Sequence, residues 1–366
     1  MQKFFVVITF FSFQITYAGL SWEKLSGWTP GVTGPSDREH PLFFIPAEKP
    51  NELILSGGLD FSFPQEGLSD TWSMNLKNGK WRKLKQVGNV PTALARVAID
   101  PERQVTLVTG GTNQDGQPSA RATLFSYKKD TVTWTTLKNP LALGRSLHAL
   151  IHVTGTPSFL NFGGIGTVQG EKQLLNLTTV VNVTGSGLNA KVEEGLFEVM
   201  NMPSERYGFA YAYDARKARL IVVIGQGHMS VSAEGEIVSV QDQKTYALSL
   251  TEEPTQWREI AGAELSGRRN ACWAHDRDRN YLYVFGGTAD GKTAIDGLMR
   301  LNLNSENPTW EAVFINADPK KSPPARSSCV GLYDKTQNRL LFGFGNTLNA
   351  EMTAVLPHTD MWALNL

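Results

Sequence analysis

Two cysteines and six histidines in 366 residues are few. The histidines, His40, His148, His152, His228, His275 and His358, lack the short spacing of zinc ligands, so no metal site is expected. His148 and His152 stand four apart, but in a strand such residues share a face without approaching closely enough to chelate one ion, so core or channel lining is the better reading. An excess of one charge is also missing: thirty-five basic residues balance thirty-five acidic ones, with no Lys/Arg run. Neutralising a phosphate backbone needs such a footprint, so nucleic acid is not an expected partner. No G-x-S-x-G elbow, P-loop or dinucleotide fingerprint occurs in strand-to-helix context, and no cofactor is expected.

The one long apolar run is N-terminal. Lys3, the stretch from Phe4 to Ile15 and the small-residue pattern Thr16-Tyr17-Ala18 read as a secretory signal over residues 1–18, cleaved before Gly19. A buried first strand or an uncleaved anchor is the alternative. The run is too short to span a bilayer, and no other span follows. The mature chain, residues 19–366, is therefore expected as a single exported domain and a monomer, periplasmic or extracellular. In such a compartment Cys272 and Cys329 invite a disulfide. Their register is uncertain by one residue, so a bond and two buried thiols both stay open. Asn176-Leu177-Thr178 and Asn182-Val183-Thr184 match the glycosylation sequon, which matters only in a eukaryotic secretory pathway.

What the chain has in quantity is a repeat. Diglycines stand at Gly57-Gly58, Gly110-Gly111, Gly163-Gly164 and Gly286-Gly287, with degenerate versions at Gly225-Gln226-Gly227 and Gly345-Asn346, at steps of 53 to 62 residues. Each closes a β-branched or aromatic run such as Leu53-Ile54-Leu55 or Leu220-Ile221-Val222-Val223, which is a strand signal. A shorter run ending in a turn precedes it, as in Val97-Ala98-Ile99-Asp100. A third strand follows, as at Thr71-Trp72-Ser73-Met74, and then a fourth led by Trp81, Trp134, Trp257 or Trp310, with Phe197 in the third unit. Four strands per unit make a blade.

This order resembles the Kelch repeat over nearly all of residues 22–366. The resemblance implies an all-β, six-bladed β-propeller of four-stranded Kelch-type blades, at about residues 38–86, 92–138, 145–200, 206–261, 268–315 and 326–366. The last unit ends after its third strand, while Trp22-Glu23-Lys24-Leu25 looks like a fourth. Residues 20–26 are therefore expected to close the last blade as its outer strand, which protects sheet edges.

Arg38, Arg145, Arg206, Arg268 and Arg326 precede the inner strands, with Thr92 in the second unit's slot and Arg96 nearby. A ring of guanidiniums could hold a carboxylate; alternatively, carbonyl oxygens alone satisfy them. Tyr207, Arg269, Asn270, Ser327 and Ser328 lie beside them as ligand-contact candidates. Loops 165–178, 226–243 and 346–358 are the longest, and long loops on a rigid scaffold usually carry binding. They hold His228, Glu234, Glu236 and His358.

The leading expectation is a non-enzymatic recognition module whose loop-bearing face takes a glycan, peptide or protein. The alternative is an enzyme similar to the periplasmic Kelch mutarotases that act on sialic acid, with Glu234 or Glu236 as acid/base and Arg206 or Arg268 holding an anion. The His/Tyr/Cys set of galactose-oxidase-type copper propellers is not visible.

Overall fold

The computed structural model describes residues 20–25, 28–62, 65–91, 93–113, 115–185, 187–231, 237–241, 244–261, 265, 268–315, 321–349, 351 and 353–366. The expected signal, residues 1–18, lies outside them, as do Thr92, Glu234 and Glu236. Among the described residues no helix is long and apolar enough to cross a membrane.

Six antiparallel sheets recur on one plan among the described residues. Sheet one runs Leu42–Phe44, Glu52–Ser56, Thr71–Asn75, Trp81–Lys83. Sheet two runs Ala95–Asp100, Val105–Gly110, Ala122–Lys128, Thr131–Thr136. Sheet three runs Ala149–His152, Ser158–Phe162, Thr178–Thr184, Lys191–Leu196. Sheet four runs Ala210–Asp214, Arg219–Val223, Thr245–Ser249, Trp257–Ala261. Sheet five runs Cys272–Asp276, Tyr281–Phe285, Leu298–Asn302, Trp310–Ala312. Sheet six is built from Val330–Asp334, Arg339–Gly343 and Met361–Asn365, and its outer strand is Ser21–Leu25 from the other end of the chain. That strand pairs antiparallel with Met361–Asn365, Trp22 opposite Leu364.

The second strands are buried on both faces, which is why they read as continuous apolar runs rather than alternating ones. Leu53, Ile54 and Leu55 have no exposed surface, nor do Leu220, Ile221, Val222 and Val223. The core lies between sheets: one cluster joins Ile54 of sheet one with Val108, Phe125 and Trp134 of sheet two, and another joins Leu107 of sheet two with Phe159 and Val181 of sheet three. The first strands of consecutive sheets lie against one another, and that of sheet six lies against that of sheet one.

Four expectations change in detail. Sheet two gains a fifth strand, Lys85–Val87, parallel to Thr131–Thr136, because the chain leaving Trp81–Lys83 runs on along the next sheet's edge. The degenerate diglycines shift by one: the slot of the first glycine holds Ile224 (φ 48°) and Phe344 (φ 57°), followed by Gly225 and Gly345. Both side chains are buried, and packing holds them in a left-handed conformation that ordinarily favours glycine.

Phe197, expected to lead the third unit's fourth strand, follows that strand instead. By register the tryptophan slot, filled by Trp81, Trp134, Trp257, Trp310 and Trp22 opposite Met74, Phe125, Leu248, Leu301 and Leu364, is occupied in sheet three by Glu194 opposite Val181. A carboxylate is tolerated there because Thr179 Oγ1 (2.6 Å), Asn161 Nδ2 (3.4 Å) and the Leu143 amide (3.2 Å) donate to it.

Finally, the three long loops are largely hairpins: Ile165–Val168 with Glu171–Leu174, Gln226–Val231 with Ile237–Gln241, and Asn346–Leu348 with Val355–Pro357. Their β-branched residues pair locally once the flanking strands fix the ends.

Candidate functional site

The arginines expected to ring the channel are turned into their own sheets. Arg38 Nη1 donates to Gly57 O (3.0 Å), Arg145 Nη1 to Gly163 O (3.0 Å), Arg206 Nη1 to Ile224 O (3.5 Å), Arg268 Nη1 to Gly286 O (3.5 Å) and Arg326 Nη1 to Phe344 O (3.3 Å). Each thus caps the second strand of its unit at the same carbonyl. Arg38 is also paired with Asp70 (2.7 Å) and Arg326 with Asp360 (2.9 Å), while Arg206 lies 5.0 Å from the centre of the Tyr246 ring. All five are buried, and each directs at least one Nη donor to a backbone carbonyl of its own unit rather than into the funnel, although Arg145 Nε and Arg268 Nε have no hydrogen-bond partner among the described residues.

Two residues beyond each arginine the backbone turns left-handed: His40 (φ 51°), Leu147 (52°), Gly208 (61°), Asn270 (52°) and Ser328 (54°), with Leu94 (66°) equivalent in sheet two. Four of the six junctions between consecutive members carry a backbone hydrogen bond, Leu147 N to Leu94 O (3.0 Å), Asn270 N to Gly208 O (3.0 Å), Ser328 N to Asn270 O (2.8 Å) and His40 N to Ser328 O (3.5 Å). They form a collar. At Gly208 (φ 61°) an added Cβ would meet Asn270 Oδ1, so a side chain there would have to displace the Asn270 amide.

The residue between arginine and collar is the one that faces outward. Glu39, Tyr207, Arg269 and Ser327 share this phase, and they bridge to Leu59, Gln226, Thr288 and Asn346, the residues after the glycine pair. Apart from Leu59, these two tiers line a polar funnel of about 600 Å³ above the collar, with Asn270 and Ser328 at its floor. Tyr207 OH (2.5 Å) and Arg269 Nη1 both donate to Gln226 Oε1. Glu39 accepts from Gln65 Nε2 (2.9 Å) and Asn346 Nδ2 (2.9 Å), and Ser327 Oγ donates to Asn346 Oδ1 (3.4 Å). Burial raises the Glu39 carboxyl above the ordinary carboxylate value, an effect that the hydrogen bonds from Gln65, Ser328 and Asn346 oppose. Burial likewise raises the Tyr207 phenol.

The funnel therefore brings together Tyr207, Arg269, Asn270, Ser327 and Ser328, and it separates them from Arg38, Arg145, Arg206, Arg268 and Arg326. It also contains Glu39, Gln65, Gln226 and Asn346, which sequence reasoning did not select. Glu39, one residue after Arg38, occupies the same phase as Tyr207 and Arg269, and that phase was the available signal. His228 belongs to the Gln226–Val231 strand, but its side chain is outside the described residues, as are Glu234 and Glu236. His358 lies beside Arg326 rather than in the funnel, and burial lowers its imidazole pKa.

Cys272 and Cys329 are bonded to each other, with Cα atoms 5.1 Å apart. Register explains how neighbouring strands bridge: Cys272 is opposite Phe285, whereas Cys329 stands one step before Val330, which is opposite Gly343. His148 is buried with Nε2 2.9 Å from Thr109 Oγ1, and His152 Nε2 lies 2.9 Å from Thr156 O. Among the described residues no group of three or more His, Cys, Asp or Glu is placed to hold a metal ion. Asn176 Nδ2 donates to Pro203 O (3.3 Å) and Asn182 Oδ1 accepts from Ser158 Oγ (2.7 Å), so both sequon side chains are structurally engaged.

No protein-family model matches the sequence, and no curated protein matches it. Solved structures do. One is the structure of YjhT, with a TM-score of 0.50 and 13% identity over 70% of this chain and 72% of that one. Another is a novel fungal alcohol oxidase with catalytic diversity among the AA5 family, in complex with copper, with a TM-score of 0.56 and 12% identity over 93% of this chain and 76% of that one. At such identities the likeness concerns the fold alone: the repeated four-stranded antiparallel sheets fit a β-propeller.

Proposed function

We propose that this chain is an exported, six-bladed Kelch-type propeller, a single domain closed by Ser21–Leu25, whose funnel recognises a carbohydrate bearing a carboxylate. Closure is supported by the pairing of that strand with Met361–Asn365 and by the hydrogen bond from His40 N to Ser328 O, which links the first unit to the last. Export is supported by the Cys272–Cys329 bond, since such bonds persist in oxidising compartments.

The observation that carries the ligand class is Arg269. Its guanidinium is oriented by Gln226, and no carboxylate among the described residues forms an ion pair with it. A fixed, unpaired guanidinium in a concave polar site suits a carboxylate, which can accept two parallel N–H donors. Tyr207, Gln226, Ser327 and Asn346 offer the mixed donors and acceptors that sugar hydroxyls need. A flat apolar partner surface would lack this concavity.

A second reading, a sugar-acid mutarotase-like isomerase, is favoured by Glu39. Opening a cyclic hemiacetal requires a base at the anomeric hydroxyl and an acid at the ring oxygen, and closing reverses the transfers. A carboxyl that burial holds above its ordinary value gives up and takes back a proton closer to the range an acid/base group needs than an exposed one does.

Both readings are tested by titrating the protein without residues 1–18 against acidic and neutral glycans. Arg269→Ala is expected to weaken the acidic ligand about 10- to 100-fold while leaving neutral analogues unchanged. Equal loss for both classes, or none, would overturn the assignment. Anomeric exchange followed by NMR in the same samples supports the enzyme if the wild type accelerates it and Glu39→Gln does not. Absence of acceleration by the wild type removes that reading.

A further inference from the structure

Beneath the collar lies a second, larger cavity of about 810 Å³, walled by the first strands of the sheets. Its upper end is crossed by Arg96, the residue that the second unit carries near its empty arginine slot. Arg96 Nε donates to His148 O (3.0 Å) and Nη1 to Ala95 O (3.2 Å), while its guanidinium carbon lies 5.7 Å from the centre of the Trp273 ring on sheet five. The side chain thus reaches from sheet two to sheet five. Two of its five N–H donors have protein acceptors, and no carboxylate among the described residues forms an ion pair with it.

The surroundings reinforce this surplus of positive charge. Arg277 lines the same cavity and also has no ion pair among the described residues. His40, beside Arg96, is held neutral, its pKa pulled down to about 3 by burial and by the Arg96 charge. The wall near Arg96 is aromatic: Tyr211 and Trp273 stand 5.2 Å apart, and Phe43 lines the same space. At the other end the cavity is edged by the exposed pair of Asp278 and Lys335, which leaves a route to solvent.

We propose that this channel is a second binding site, distinct from the funnel, for an organic monoanion with a flat apolar body. Its carboxylate is taken by the Arg96 guanidinium and its body packs along Tyr211, Trp273 and Phe43. A cation desolvated against aromatic faces and lacking a protein counter-ion gains most from an anion that carries its own apolar surface into the cavity.

Benzoate is the probe. Calorimetric titration of the wild type is expected to show saturable binding, weakened about tenfold or more in Arg96→Met and unchanged in Arg269→Ala. Retained affinity in Arg96→Met, or loss only in Arg269→Ala, overturns the proposal, the latter by placing benzoate in the funnel. Independently of any variant, diffraction from wild-type crystals grown with 4-bromobenzoate should put the anomalous bromine peak below the collar beside Trp273. A peak confined to the funnel, or none at saturating probe, overturns it equally.

Discussion

Glu39 shows how one position can couple a site to stability. Its carboxyl sits where burial outweighs three hydrogen bonds, so its folded pKa lies above the unfolded 4.5. A raised carboxyl pKa contributes stability that is present in full below the unfolded value and lost as pH rises through the folded one. Ionised Glu39 therefore costs the fold stability near neutrality. Glu39→Gln, which stays neutral, should gain stability relative to the wild type between about pH 4 and about pH 7, measured by urea denaturation at both. A difference that stays constant or shrinks over that interval would contradict the burial argument. The same residue marks the reach of sequence reading. Arg38 was recognisable from its neighbours in the repeat, but whether the charge that matters is Arg38 or the adjacent Glu39 depends on which side chain turns toward the funnel. One residue of phase decides that.

At the scale of the element, the outer strand of sheet six is the informative case. Trp22 is half-buried, with its ring 5.8 Å from Phe285 and 5.9 Å from Phe342, so it contacts both sheet five and sheet six. Truncation to alanine removes an aromatic contact to each and opens the seam between them. Trp22→Ala is expected to lower unfolding stability by about 2–3 kcal/mol with an unchanged denaturant slope. A loss below about 0.5 kcal/mol, the scale of ordinary surface changes, would mean that the strand is only a passive edge. Glu194 is the complementary element-scale lesson. It takes a slot that tryptophan fills in the other sheets, and no composition rule announces it, because its compensation comes from Thr179, Asn161 and the Leu143 amide, which pairing alone brings together. The hairpins within loops 165–178, 226–243 and 346–358 were hidden for a related reason. Short two-stranded ribbons gain stability from where their ends are anchored as much as from their own residues.

For the whole molecule, the Cys272–Cys329 bond ties the first strands of sheets five and six across 57 residues of chain. Closing a loop of that length restricts the unfolded ensemble, and replacing both cysteines by alanine is expected to cost about 2–4 kcal/mol. The guanidinium midpoint should fall accordingly, and reducing agent should shift the wild type but not the double variant. An unchanged midpoint would place the bond outside the determinants of stability. The unit order was legible because each sheet must bury a second strand on both faces, and continuous β-branched runs ending in glycine record that requirement locally. The cysteine pairing was not legible, since it depends on a one-step stagger between two strands. The sequence alone determined the repeat, its period and the spare Trp-led strand near the N-terminus, all set by short-range chemistry: β-propensity, glycine's access to left-handed backbone and the size of tryptophan. Only the tertiary structure decided which residues share a cavity. Glu39, Tyr207, Gln226 and Arg269 come from distant units, and Arg96 meets Trp273 across the channel, because such contacts follow from the packing of sheet against sheet.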